Sequence, residues 1–342
     1  MSSTTLEQAP RPFVVRSPRQ EAWRRFRQSR LAMAFLGLFG VFLLMAITAQ
    51  VLELTQIHDG DRRGLLYDTS LAKQGIEVAP GVPWPEEATP PSTTHWQAWL
   101  GTDSHGKSVL LRVFHGTKIA FVVGTFGALL SVLIGMTLGL MAGYFGRWVD
   151  EAVVYVYTTV ASIPYLLLIL ALAFLIRQGG IAKAYAELTI LGFQPEAYMS
   201  LGLFTIVLVI GLTSWVTLCR LVRAEVKKVR ELDYVQAARA LGFGDVRIMF
   251  KHVLPNVFHL VIINFSLTFV TAIKSEVILT FLGVGVDKEP SWGQMISAAK
   301  SELMKGIWWP ILASGSMLFL LTLAVNYVGD ALRDALDPKL KR

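Results

Sequence analysis

The sequence predicts an all-α membrane protein of about six transmembrane helices. Three observations carry that reading. Apolar residues fill 53% of the 342 positions and charged residues only 17%, against about 25% charged in an ordinary soluble domain. Mean hydropathy is +0.50. The apolar residues gather into runs of about twenty, the length a helix needs to cross a bilayer. The same composition excludes a disordered chain, which would be poor in apolar residues. With Cys219 as the only cysteine, a disulfide scaffold is excluded too.

The runs are Leu31–Val51, Ile119–Tyr144, Val153–Ile176, Leu201–Cys219, Val257–Phe281 and Trp308–Val328. Only the fifth holds charges, Lys274 and Glu276. The first is too long for the apolar part of a signal peptide and follows a long basic segment, so it is expected to stay as a span. In the second, Gly135, Gly139 and Gly143 stand four apart and form a smooth face for close helix packing, within the subunit or at a seam between subunits. In the third, Pro164 removes a backbone donor near the middle and is expected to kink the helix. In the fourth, Thr213, Ser214, Trp215 and Thr217 make a polar streak, either packing glue or part of a solute path. Lys274 and Glu276 are two apart and point away from each other. Charges at such depth face protein or water, so they are expected either to snorkel near the outer end or to line a path.

Charge gives the orientation. Six spans put residues 1–30, 145–152, 220–256 and 329–342 on one side, with 20 Lys+Arg against 11 Asp+Glu. The other side has 11 against 13, so the net +7 is sorted between two faces. By the positive-inside rule the basic face is cytoplasmic. Topology and anionic lipid account for the basic balance, and no nucleic-acid partner is expected. The chain thus divides into a basic segment (1–30), a first span (31–51), an outer loop with an interfacial helix (52–118), a core of five spans with the cytoplasmic loop 220–256 (119–328), and a tail (329–342).

The outer loop is expected to be mostly irregular, with Pro80-Gly81, Pro83, Pro85 and Pro90-Pro91. Residues 101–108, GTDSHGKS, fit the phosphate-loop pattern G-x-x-x-x-G-K-[ST]. The context is wrong: no buried strand precedes them, and the topology puts them outside, away from ATP. Gly101 and Asp103 are better read as a turn capping an amphipathic helix, Ser108–Phe121. That helix would lie along the interface with Lys107, Arg112 and Lys118 at its wet edge.

The most informative stretch is DYVQAARALGFGDVRIMFKHVLP, residues 233–255. Tyr234–Leu241 holds good helix formers, and Gly242 is a natural stop. Asp245 is placed to cap a second short helix, Val246–Val253, and Pro255 suits the first turn of span five. The product is a helix–turn–helix elbow, tethered at both ends and projecting from the membrane.

This stretch resembles the "EAA" loop of ABC-importer permeases: D-Y-x-x-A-A-x-A-L-G at 233–242, then H-x-L-P-N at 252–256. Leu100-Gly101-Thr102-Asp103, Gly143-Tyr144-Phe145-Gly146, Phe281-Leu282-Gly283-Val284-Gly285-Val286, Ser291-Trp292-Gly293 and Gly329-Asp330-Ala331-Leu332 extend the resemblance. Together they look like the C-type permease of oligopeptide and dipeptide importers. The resemblance implies a type I importer permease fold in the bacterial inner membrane, with both termini cytoplasmic. It implies a second permease subunit, two ATPase subunits that carry ATP and Mg, and an extracytoplasmic solute-binding protein. It also implies a coupling helix at the elbow, with Tyr234, Gln236, Ala237, Ala238, Arg239, Gly242 and Asp245 meeting the ATPase. Small Ala237 and Ala238 would allow close approach, and Arg239 would be free for a carboxylate. Gln236 stands where the family usually has Glu, the 52–97 loop is longer than in most relatives, and the 177–200 loop has little family likeness. The implied solute is a peptide or peptide-like molecule; a nickel-type complex is the alternative within the family.

Rivals of other classes find less support. An ion-driven transporter needs membrane carboxylates or two related halves, and the sequence offers only Glu276 and Pro164. No H-E-x-x-H or intramembrane Asp pair marks an enzyme, so neither catalytic residues nor a cofactor of the chain's own are expected. All six histidines lie in loops or at span edges, and His252 and His259 would share a face only without a kink at Pro255.

Overall fold

The computed structural model describes residues 23–24, 26–58, 69–190, 199–287 and 289–336. Most of the basic segment 1–30, residues 59–68 of the outer loop, 191–198 of the 177–200 stretch and 337–342 of the tail lie outside the described residues. The fold is a helix bundle. Apolar helices answer the bilayer's main demand, because each satisfies its own backbone donors and acceptors.

Helix α1 is Arg30–His58. It lies against the last helix, where Phe35 stacks on Tyr327 at 4.3 Å. The described part of the outer loop, residues 69–108, has more order than its prolines and glycines predict. A small antiparallel pair, β1 (Glu77–Ala79) and β2 (Val82–Pro83), precedes a 3-10 turn, and Leu71, Trp84 and Ala98 form a buried cluster.

Helix α2, Val109–Phe145, is one unbroken rod of 37 residues. The expected interfacial helix is therefore no separate element; it is the first third of span two. No proline interrupts the rod, and its early glycines serve close packing: a Cβ at Gly116 would stand 2.5 Å from the Trp292 ring. The cap is Ser108, whose Oγ accepts from Leu111 N, while Asp103 shapes the preceding turn. Arg112 and Lys118 are buried rather than at a wet edge, and Arg112 pairs with Asp103.

Span three is broken outright. Helices α3 (Arg147–Ser162) and α4 (Tyr165–Gln178) meet at Ile163-Pro164 with a bend of 96°. A lone proline predicts a kink; a turn of this size means the missing donor coincides with a change of direction fixed by the neighbours. The pair still runs from end to end of the bundle. Asp150 of α3 pairs with Arg223 and with Lys227 (2.7 Å) near the elbow, while Arg177 of α4 donates to Gly285 O at the opposite end (2.8 Å). With this pair counted as one span, there are six candidate spans among the described residues.

Helix α5 (Gly180–Ile190) leads towards α6 (Leu201–Val229), which Ser200 caps. α6 packs along α2 on the glycine stripe. A Cβ at Gly135 would lie 2.7 Å from Trp215 O, one at Gly139 2.7 Å from Cys219 O, and one at Gly143 2.7 Å from Val226 Cβ. These distances leave room only for hydrogen, so the two backbones touch.

The elbow follows as α7 (Asp233–Ala240) and α8 (Asp245–Ile248). A π turn, Met249–Val253, joins α8 to α9 (Leu254–Phe281), so the second elbow helix is continuous with span five. Pro255 sits in the first turn of α9. Helix α10 (Trp292–Glu302) packs at the far end, and α11 (Trp309–Leu336) returns to the elbow end. There its last turns meet the start of α1 in a cluster of Phe26, Ala32 and Ala335.

Candidate functional site

Two features of the bundle are fitted for function: an open cavity on one face of it and the elbow at one end. The cavity has a volume of about 590 Å³ and lies where α3 and α4 break, between them, α6 and α9. Its polar lining is hydroxyl: Ser162, Tyr165, Thr213, Ser214, Thr217, Thr268 and Thr271, with no charged side chain among its lining residues. Several hydroxyls donate to their own helix, as Thr213 does to Val209 O (2.8 Å) and Thr271 to Leu267 O (2.9 Å). Their lone pairs remain for a solute. Ser214 Oγ is buried without a hydrogen-bond partner. A buried hydroxyl left unpaired costs about 1–3 kcal/mol in desolvation.

The sequence's candidate path residues part company around this cavity. Thr213, Ser214 and Thr217 line it together. Trp215 turns away, buried with Tyr157 and Cys219, its Nε1 donating to Leu212 O (2.9 Å). Lys274 is exposed on α9, one turn beyond Thr271. Glu276 is 2% exposed and faces α10, accepting from Thr280 Oγ1 (3.0 Å), with no room beside it for a Cβ at Gly293. The two charges thus sit on opposite faces, and Glu276 serves the α9–α10 contact. Sequence reasoning missed the α9 threonines, Thr268 and Thr271. A hydroxyl pair one turn apart was their only signal.

At the elbow, α7 ends in a tight C-cap. Gly242 has φ +78°, its N–H bonds Arg239 O (3.0 Å), and Phe243 N–H bonds Ala238 O (3.2 Å). Any other residue there would adopt a left-handed backbone at a cost of about 1–2 kcal/mol. Nothing lies within 4 Å of a Cβ at that position, so the subunit itself sets no steric bar. Val235 and Ala238 turn inward, three apart on one face of α7. Tyr234, Gln236, Ala237 and Arg239 are exposed. Of the two small residues expected to meet a partner, only Ala237 is therefore on the surface. Around the turn Leu241, Phe243, Val246 and Phe250 are also exposed, an apolar knob outside the spans.

The polar groups of the elbow are engaged more than their spacing implies. Asp245 does not cap α8; the N-cap is Gly244, and Asp245 Oδ1 accepts instead from Tyr144 Oη at the end of α2 (2.7 Å). Arg239 lies over the same ring, 5.7 Å from its centroid, and its interaction with the Tyr144 side chain raises its pKa. Gln236 Nε2 donates to Arg230 O (3.0 Å), which a carboxylate at that position would be unable to do. Asn256 Nδ2 donates to Tyr234 Oη (2.9 Å), and burial pushes the Tyr234 phenol up. His252 stacks on Phe243, and His259 Nδ1 lies 3.0 Å from Asn256 O. Among the described residues no three His, Cys, Asp or Glu side chains group together as for a metal.

The phosphate-loop look-alike has no free cradle. Asp103 Oδ1 already takes the backbone N–H groups of His105 (2.8 Å) and Lys107 (2.9 Å), and Ser108 is spent on the α2 cap. A phosphate needs just such N–H groups unoccupied.

Comparison with known proteins gives the family of the chain. The family model described as "Binding-protein-dependent transport system inner membrane component" matches residues 135–342, which includes the glycine stripe, the broken span and the elbow. The model "N-terminal TM domain of oligopeptide transport permease C" matches residues 17–63. The dipeptide transport system permease protein DppC of Bacillus subtilis is 32% identical over 94% of this chain and 86% of its own length. The glutathione transport system permease protein GsiD of Pectobacterium atrosepticum is 32% identical over 96% of this chain and 93% of its own. The oligopeptide permease OppC of B. subtilis is 30% identical over 94% and 90%. A solved structure of inward-facing MetNI methionine ABC transporter superposes with a TM-score of 0.47 and 18% identity, over 67% of this chain and 96% of that one. A multi-pass chain with an apolar bundle, matched over most of its length by both sequence comparisons, belongs to the family of binding-protein-dependent transport system inner membrane components.

Proposed function

We propose that the chain is one of two different permease subunits in an ATP-driven importer for peptides or peptide-like solutes. It forms half of the translocation path. The single observation that carries the coupling role is the elbow: a capped α7, an apolar turn and α8, exposed beyond the spans and continuous with α9. The elbow end is the basic, cytoplasmic side. Two ATPase subunits dock there and hold ATP and Mg; this chain binds no cofactor and catalyses no reaction. A solute-binding protein delivers cargo at the opposite face. ATP bound to the partners supplies the differential energy between the two access states.

The cavity supports the peptide reading. A neutral, hydroxyl-lined wall offers donors and acceptors to amide groups without selecting a charge. The names of the relatives, which specify dipeptide, oligopeptide and glutathione, point the same way. An ion-driven mechanism is disfavoured because no carboxylate lines the cavity and Glu276 faces elsewhere.

The test is Gly242→Trp in the assembled complex. We expect normal membrane insertion and loss of uptake-linked ATP hydrolysis. Normal coupling in that variant would sink the assignment of the elbow. Uptake that survives ATP depletion but collapses with the ion gradient would overturn the importer class itself.

A further inference from the structure

We propose that Tyr144 is a positioning residue that ties the elbow to span two, so that the elbow, α2 and α6 swing as one body. The proposal deepens, and rests on, the reading that the elbow receives an ATPase.

The tie is a closed circuit of contacts. Tyr144, 4% exposed at the last turn of α2, donates to Asp245 Oδ1 at the start of α8 (2.7 Å). Arg239 of α7 covers its ring. Arg230, just beyond α6, donates through Nη1 to Gly143 O (3.1 Å) and Tyr144 O (3.2 Å), closing carbonyls that the end of α2 leaves free. Gln236 of α7 then donates to Arg230 O (3.0 Å). Both elbow helices are thereby joined to the ends of both spans. Below them Tyr144 shares a buried cluster with Val226, Val235, Ala238 and Ile248. The glycine stripe continues the same contact into the bilayer with backbone against backbone. A force applied at the elbow therefore meets a stiff connection to α2 and α6.

The route to α9 runs through the π turn Met249–Val253, where i→i+5 bonding replaces the regular ladder, and α9 joins the same buried cluster through Val257 and Val261. Such turns recur at functional sites.

The experiment uses the whole importer in proteoliposomes, with uptake and ATP hydrolysis measured together. In Y144F the phenol's bond to Asp245 is gone and the ring remains. We expect assembly at the parent level, binding-protein-stimulated hydrolysis retained, and uptake lower by about 5–10-fold, the scale of coupling lost along a contact network. ATP consumed per solute rises accordingly. A purely structural role would lower uptake and hydrolysis together and leave their ratio unchanged. An unchanged ratio in Y144F overturns the tie. G242W serves as the reference: if it uncouples and Y144F does not, only the tie fails; if neither uncouples, the elbow reading fails with it. Should Y144F not assemble, spin labels at Met141→Cys and Val246→Cys in a C219S background report on the same link. Their separation should be constant between nucleotide-free and ATP-trapped complexes, and a change beyond about 2 Å, the scale of a helix shift, overturns the proposal.

Discussion

Ser214 shows how one hydroxyl separates stability from transport. Its Oγ is buried and unpartnered, so removing it takes away a desolvation cost rather than a bond. Ser214→Ala is expected to melt at or slightly above the parent temperature. Its KM for uptake should rise by about 2–10-fold, one hydrogen bond's worth. A lower melting temperature with unchanged KM would make Ser214 a packing residue instead. Much of the residue-level site was open to sequence reading. Gly242 announced a helix stop, and the streak 213–217 announced polarity inside a span. The rest depended on partners far along the chain. Tyr144 stands in the motif Gly143-Tyr144-Phe145-Gly146, but nothing local names its acceptor, which is 101 residues away. Arg112 looked like a wet-edge cation because its spacing fits one, yet burial with Asp103 decides its place. Glu276 and Lys274 point apart, as two-residue spacing requires, but only the neighbours reveal that Glu276 is buried against α10 and that neither lines the cavity.

Among the elements, the α2–α6 pair is the frame. Gly139→Ala would put a methyl 2.7 Å from Cys219 O, a backbone atom that has nowhere to go. We expect a loss of about 1–3 kcal/mol by overpacking, read as a lower melting temperature in detergent. Gly40→Ala on α1 is the control: nothing lies within 4 Å of its Cβ, so relief of chain entropy should leave stability equal or raised by about 0.4–1 kcal/mol. Equal effects at the two positions would mean the stripe is not a packing seam. The spans themselves were legible because an uncharged run of about twenty residues is a first-order signal. Their ends were not. α2 begins ten residues before its apolar run and α6 continues ten beyond, since a helix leaves the bilayer without needing apolar residues. The size of the break at Pro164 was equally hidden, because proline states where a helix fails and the surrounding helices state in which direction.

At the scale of the molecule, charge sorting makes a claim about sides. Leu241 on the elbow and Met304 after α10 are among the most exposed apolar residues, at opposite ends of the bundle. With Cys219→Ser as background, a membrane-impermeant thiol reagent is expected to label Met304→Cys on intact cells. Leu241→Cys should react only after permeabilisation. The reverse pattern would invert the topology and with it the ATPase side. The glycine stripe also carries a consequence in time. Gly143 is synthesised about eighty residues before Arg223, whose backbone covers it. At about 5–20 residues per second, span two waits several seconds with its groove open to lipid. The broken span three emerges during that wait, yet its ion pairs at Asp150 need α6 as well. The order of emergence is two, three, four; the order of assembly has to be two with four, and three afterwards. Biogenesis therefore has to hold an unfinished, broken α3–α4 span at the membrane until the helix that secures it arrives.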